Sequence, residues 1–185
     1  IVWTDEMVDQ IRKEVDAYCD LMFTDEELDW VSKLRYIKKD FVEFLRIYKP
    51  QRRHVSIWSQ DGTLFIEIEG PWFLTIFFEV PILAIVNEVY FSQRYPRPLQ
   101  LDYIGGIAKL KDKIAIAKSE AFLFSDFGTR RRLSKEWQEF IVKTLAEELP
   151  RNIFGGTSNM DLARRYNLTP IGTMAHEFIC AGQSM

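Results

Sequence analysis

Hydrophobic positions recur at helical spacing through residues 4–48, alternate strictly through 54–70, and return to helical spacing beyond Pro71. Met7, Ile11, Val15 and Tyr18 share one face of a predicted helix over 4–22. In TDEELDW, Thr24 and Glu27 have capping-box spacing, and acidic residues fill the first turn that follows. A third helix is predicted around 38–48, with Phe41, Phe44, Leu45 and Tyr48 on one side and Pro50 as its stop. HVSIWSQ and TLFIEIEG then alternate on either side of Asp61-Gly62, which reads as a β-hairpin. In its second arm Leu64, Ile66 and Ile68 share one face, and Glu67 and Glu69 the other. A long apolar helix is predicted over 72–93, a loop at YPRP (95–98), and a helix over 101–119 weakened at its start by Gly105-Gly106.

From residue 120 the period changes again. AFLFS reads as a strand, 134–148 as a helix, RNIFGG as a short strand and loop, 157–166 as a helix, and TPI as a short strand, with another helix opening after Gly172. Short strands alternating with helices imply parallel βαβ units, as in an α/β barrel. The expected fold class is therefore α/β with an α+β N-terminal part.

Composition narrows the function. A net charge of −3 leaves no broad basic face of the kind nucleic-acid binding requires. The greasiest run, residues 72–86, contains Glu79 and Pro81 and falls short of the roughly 20 apolar residues a membrane span needs, so a buried helix is expected. The N-terminus IVWTDEMVDQ lacks the basic and apolar regions of a signal peptide. Cys19 and Cys180 lie too far apart for a metal motif and read as free thiols in a reducing, cytoplasmic setting. Ile1 is not an initiator methionine and Met185 closely follows a predicted helix start, so the expectation is a piece of a longer protein.

Three polar loops carry candidate chemistry: FGTRRRLS (127–134), GGTSN (155–159) and GTMAHE (172–177). Each follows a predicted strand and opens a helix, so in a barrel all three meet at the C-terminal end of the strands. Each has a glycine and a hydroxyl suited to an N-cap: Ser134, Thr157 or Ser158, and Thr173. Helix N-termini attract anions. Arg130, Arg131 and Arg132 repel one another, which calls for an anion opposite them. His176 falls in the first turn of its predicted helix, where the positive helix end disfavours imidazolium and leaves a neutral, nucleophilic ring. His54 lacks such a setting and reads as a surface residue, and Glu177 points to a different helix face from His176.

SDFGTRRRLS at 125–134, GGTSNMDLARR at 155–165 and TPIGTMAHE at 169–177 closely resemble nicotinate phosphoribosyltransferases, as do EGPWFLTIFFEVPILAIVNEVYF at 69–91 and, more loosely, the N-terminal helices. The resemblance implies a type II phosphoribosyltransferase fold. An α/β sandwich domain would contribute its portion at 1–73, linking helices would occupy 74–119, and an incomplete irregular α/β barrel would begin at 120–185. It further implies nicotinate, phosphoribosyl pyrophosphate and ATP as substrates, Mg²⁺ bound with the pyrophosphate, and a homodimer or higher oligomer. Phe127, beside Gly128, matches the aromatic that stacks on the pyridine ring, and Arg130 the arginine that contacts substrate and phosphoribosyl pyrophosphate. Thr157 and Ser158 match the loop beside the ring substituent, Thr173 joins the substrate-binding set, and His176 matches a histidine phosphorylated by ATP. The roles of Arg131 and Arg132 stay open, since adjacent side chains cannot all point inward. The resemblance also implies that the 185-residue chain alone is inactive and self-associates, because later barrel strands and phosphate loops of the family are missing from it. Rival readings are a nicotinamide or quinolinate phosphoribosyltransferase, or a non-catalytic domain of the same fold.

Overall fold

The computed structural model describes residues 2–94 and 105–173. The chain forms two compact units, Ile1–Ile107 with Thr129–Gln138, and Ala108–Gly128 with Glu139–Met185. Chain order is not unit order: the segment carrying the arginine triplet belongs to the first unit although the strand before it belongs to the second.

In the first unit, helix α1 (Asp5–Cys19) starts where Thr4 accepts a hydrogen bond from the Met7 N–H at 3.3 Å. It buries Met7, Val8, Ile11, Val15 and Cys19. Helix α2 (Asp25–Ser32) carries the expected capping box, with Thr24 and Glu27 each bonding the other's backbone N–H. Helix α3 (Lys39–Ile47) buries Val42 and Leu45, whereas Phe41 is exposed, its ring tilted 33° to that of Phe44. Of the expected face, Leu45 and Tyr48 are buried and Phe44 packs against the cluster, so only Phe41 departs from it, with Val42 taking its place inside.

Strands β1 (Val55–Gln60) and β2 (Thr63–Ile68) form the predicted antiparallel hairpin. Asp61 and Gly62 have φ of 51° and 74°, the double left-handed turn that matches strand twist. Val55 and Ile57 are buried with Leu64 and Ile66 packed beside them, while Trp58 and Phe65, directly opposite each other, stack on the outer face. Ile68, at the strand end, is exposed. His54 departs from the surface role expected of it. Its Nδ1 lies 2.7 Å from the Glu69 carbonyl, and its ring fills the space a side chain on Gly70 would occupy.

The predicted helix over 72–93 is interrupted. It runs as α4 (Trp72–Thr75), a 3-10 turn at Ile76–Phe78, and α5 (Glu79–Arg94). Pro81 is the cause: it has no N–H to give the Phe77 carbonyl, and the Tyr18 hydroxyl donates to that carbonyl instead, at 2.8 Å. Residues 72–94 are long and apolar enough to cross a membrane by length and composition. Here Phe78, Ile82, Ile85 and Val89 pack with α1 and the hairpin into one cluster, but Trp72, Phe73, Val80 and Leu83 are exposed, so the segment is buried along one side only and not throughout as expected.

The second unit contains most of helix α6 (Gly106–Glu120) and a parallel sheet ordered β3-β4-β5. Its strands are β3 (Phe124–Asp126), β4 (Phe154–Thr157) and β5 (Thr169–Pro170). Helix α7 (Lys135–Glu148) connects the first pair of strands and α8 (Met160–Arg165) the second, so the predicted βαβ alternation holds. Leu110, Ile114 and Ala117 on α6, Val142 and Leu145 on α7, and Phe154 on β4 are buried. Strand β3 begins later than AFLFS suggested, because Ala121 has φ 51° and Phe122 and Leu123 are exposed. Helix α8 is shorter than 157–166: Asn159, not Thr157 or Ser158, is its cap, accepting the Leu162 N–H at 3.1 Å.

Candidate active site

Asp126 pairs with Thr157 and Thr157 with Pro170 across the parallel sheet. The chain therefore leaves all three strands at the same end, through Phe127, Ser158 and Ile171. Two backbone bonds extend the ladder there: the Ser158 N–H donates to the Asp126 carbonyl at 2.8 Å, and the Ile171 N–H to the Thr157 carbonyl at 2.9 Å. Of the expected site residues, this edge gathers Phe127, Gly128, Thr157 and Ser158, with Thr173 two residues beyond Ile171. Phe127 and Thr173 are exposed, and Gly128 and Ser158 half-buried. His176 and the helix expected after Gly172 lie outside the described residues.

Thr157 differs from the open loop hydroxyl the sequence suggested. It is a strand residue with no exposed surface, its hydroxyl donating to Asp126 Oδ2 at 2.7 Å and accepting the Asn159 N–H at 3.0 Å. The other Asp126 oxygen, Oδ1, accepts the Gly128 N–H at 3.0 Å. Close strand contact explains one glycine of the GGTSN loop. Gly156 has φ 151°, and a Cβ there would sit 2.0 Å from the Thr169 carbonyl oxygen.

The arginine segment, within the first unit, meets α5. Arg130 Nη1 donates to Glu79, and its carbonyl accepts from Asn87 Nδ2 at 2.7 Å. Arg132 Nη2 donates to Glu88 Oε2 at 3.2 Å. The Arg130 side chain remains 51% exposed and that of Arg132 only 17%. Arg131 is exposed and makes no ion pair with a described residue. Part of the negative charge expected opposite the triplet is therefore supplied by α5 itself. Ser134 caps α7 as expected, accepting the Trp137 N–H at 3.1 Å. No cluster of three or more His, Cys, Asp or Glu side chains suited to a metal occurs among the described residues.

Comparison with known proteins identifies the chain's relatives. Residues 3–87 match the nicotinate phosphoribosyltransferase N-terminal domain, and residues 122–185 the nicotinate phosphoribosyltransferase family. The chain belongs to the nicotinate phosphoribosyltransferase family. It is 45% identical over 185 residues to the nicotinate phosphoribosyltransferase of Burkholderia mallei, covering 96% of this chain and 45% of that protein. Over 184 residues it is 45% identical to that of Cupriavidus necator, covering 96% and 46%. Among solved structures, the Vibrio cholerae nicotinate phosphoribosyltransferase aligns with a TM-score of 0.87 at 31% identity, over 99% of this chain and 46% of that one. The Porphyromonas gingivalis enzyme aligns at 0.86 with 27% identity, over 97% and 46%. The chain thus spans about half the length of the curated nicotinate phosphoribosyltransferases it matches.

Sequence reading passed over Asp126, Glu79 and Asn87. Asp126 stands inside the quoted SDFG motif, but an aspartate before a turn reads as simple turn chemistry. Glu79 and Asn87 lie in the apolar 72–94 stretch, where no local pattern links them to an arginine 51 and 43 residues later.

Proposed function

We propose that the protein of which these residues form part is a nicotinate phosphoribosyltransferase, making nicotinate mononucleotide and diphosphate from nicotinate and phosphoribosyl pyrophosphate. The observation that carries this reading is the meeting of Phe127, Ser158 and the 171–173 segment at one end of a parallel sheet, in a chain of this family. Phe127 offers an exposed ring on which the pyridine stacks. Arg130 keeps half its surface open, so its remaining N–H groups can bond the substrate carboxylate and the diphosphate. Ser158 presents a hydroxyl to the ring substituent, with Thr157 acting from behind it. Gly128 and Thr173 contribute backbone and hydroxyl contacts. The reaction displaces diphosphate from the ribose carbon through a cationic sugar-like transition state, so the residues act by positioning and charge stabilisation. Mg²⁺, when bound together with the diphosphate, would offset that group's negative charge, and the described residues offer no acidic cluster of their own to hold it. His176 accepts a phosphoryl group from ATP, coupling ATP hydrolysis to turnover in a ligase-type cycle. The working unit is a cytoplasmic homodimer.

The test uses a polypeptide carrying these residues within the relatives' full length, incubated with nicotinate, phosphoribosyl pyrophosphate and Mg²⁺, with and without ATP. Nicotinate mononucleotide formation stimulated by ATP is expected, with nicotinamide and quinolinate turned over poorly. Preference for either alternative base, or binding without turnover, would overturn the reading. An acid-labile phosphate, seen by intact mass after ATP treatment and lost in His176→Ala, tests the histidine role.

A further inference from the structure

We infer that Asp126 is a positioning residue that sets the spacing between Phe127 and Ser158, and so governs affinity for the pyridine base. The inference rests on the function proposed above. Asp126 ends β3, and three of its groups hold the edge of the sheet. Oδ1 accepts the Gly128 N–H at 3.0 Å, Oδ2 accepts the Thr157 hydroxyl at 2.7 Å, and its carbonyl accepts the Ser158 N–H at 2.8 Å. The first bond closes a tight turn across Phe127 and leaves its ring pointing into solvent, 50% exposed. The second ties β3 to β4 one residue before Ser158. A single carboxylate therefore spans the neighbours of both residues assigned to the base.

The chemistry of the partners makes the carboxylate specific. The Thr157 hydroxyl is fully buried and accepts the Asn159 N–H at 3.0 Å, so its one proton must go to an acceptor, and Asp126 Oδ2 is that acceptor. An asparagine could accept from Gly128 but would present an amide donor to Thr157, placing donor against donor. Gly128 is constrained as well: a Cβ there would lie 2.9 Å from Oδ1, so the turn and the glycine require each other. None of these contacts uses Asp126 as a group that touches substrate.

The experiment measures steady-state kinetics and nicotinate binding for Asp126→Asn, Asp126→Ala, Thr157→Val and Thr157→Ser in the protein spanning the relatives' full length. Asp126→Asn and Thr157→Val are expected to raise KM and Kd for nicotinate about tenfold or more, the scale of a lost charge-assisted bond, with a much smaller change in kcat and in KM for phosphoribosyl pyrophosphate. Thr157→Ser, which keeps the hydroxyl, is expected to restore near-wild-type nicotinate KM. Should Asp126→Ala fail to fold, the Val and Ser variants at 157 still decide. Equal impairment of Thr157→Ser and Thr157→Val, or unchanged nicotinate affinity in Asp126→Asn, would overturn the inference while the wild type still turned over nicotinate. Absence of nicotinate turnover in the wild type would instead sink the function on which it rests.

Discussion

Arg130 and Arg132 are two residues apart, yet their surroundings assign them different work. Arg132 pairs with Glu88 with both side chains largely covered. Arg130 pairs with Glu79 but keeps half its surface exposed, and Asn87 fixes its backbone. Arg130→Ala is expected to lower kcat/KM by about 100-fold or more, and Arg130→Lys to recover little of it, because an ammonium cannot bond two oxygens as a planar fork does. Arg132→Ala is expected to leave kinetics near wild type and reduce stability by about 1 kcal/mol, read by urea denaturation. The reverse pattern would exchange the two roles. Ser158 gives a second test at this scale. A hydroxyl can donate to a carboxylate, whereas an acid there would repel it and accept from an amide. Ser158→Asp is therefore expected to depress nicotinate turnover and shift preference toward nicotinamide, measured by competition between the two bases.

Elements transmit these positions. The 2.0 Å approach between the Thr169 carbonyl and a Cβ at 156 means that β4 and β5 can pair only over a glycine. Gly156→Ala combines that clash with φ 151°, a conformation L-residues rarely adopt, and is expected to cost roughly 2 kcal/mol or more by chemical denaturation. In the first unit, Tyr18 and Tyr48 donate to the carbonyls of Phe77 and Leu74, tying α1 and the end of α3 to the broken helix at 72–78. Burial raises the pKa of both phenols, that of Tyr48 to about 12 and that of Tyr18 further. The folded state thus favours the protonated form. The resulting stabilisation is fully present below the unfolded value near 10 and is lost as pH rises toward 12. Thermal melts should show stability falling between these values, and Tyr48→Phe should flatten that fall.

At the scale of the whole molecule, the chain's share of its relatives sets the expectation. It spans 45% of the Burkholderia mallei protein and presents three parallel strands among the described residues. Phosphoryl groups bound at barrel ends draw on loops from several strands, so a larger set of strand ends is needed than these three supply. The 185 residues expressed alone are expected to yield no measurable nicotinate mononucleotide, whereas the protein at the relatives' full length does so under the same assay. Activity of the 185 residues near that of the longer protein would refute this.

Much of the local structure was written in the sequence, because it depends on neighbours along the chain. The capping box at Thr24 and Glu27, the Asp61-Gly62 turn, the Ser134 cap and the βαβ alternation all arise from residues a few positions apart. The family was legible for the same reason, carried by contiguous motifs at 125–134 and 155–165. Other features needed the folded chain, since their causes are separated in sequence and joined only in space. The Pro81 break is accommodated by the Tyr18 hydroxyl, which donates to the carbonyl that Pro81 leaves free. The burial of Thr157 follows from Asp126, 31 residues away, and the partner of Arg130 is Glu79, 51 residues away. Periodicity selects which face of an element turns inward; only packing decides which distant polar group meets it there, because a buried donor must find whatever acceptor the fold brings within reach.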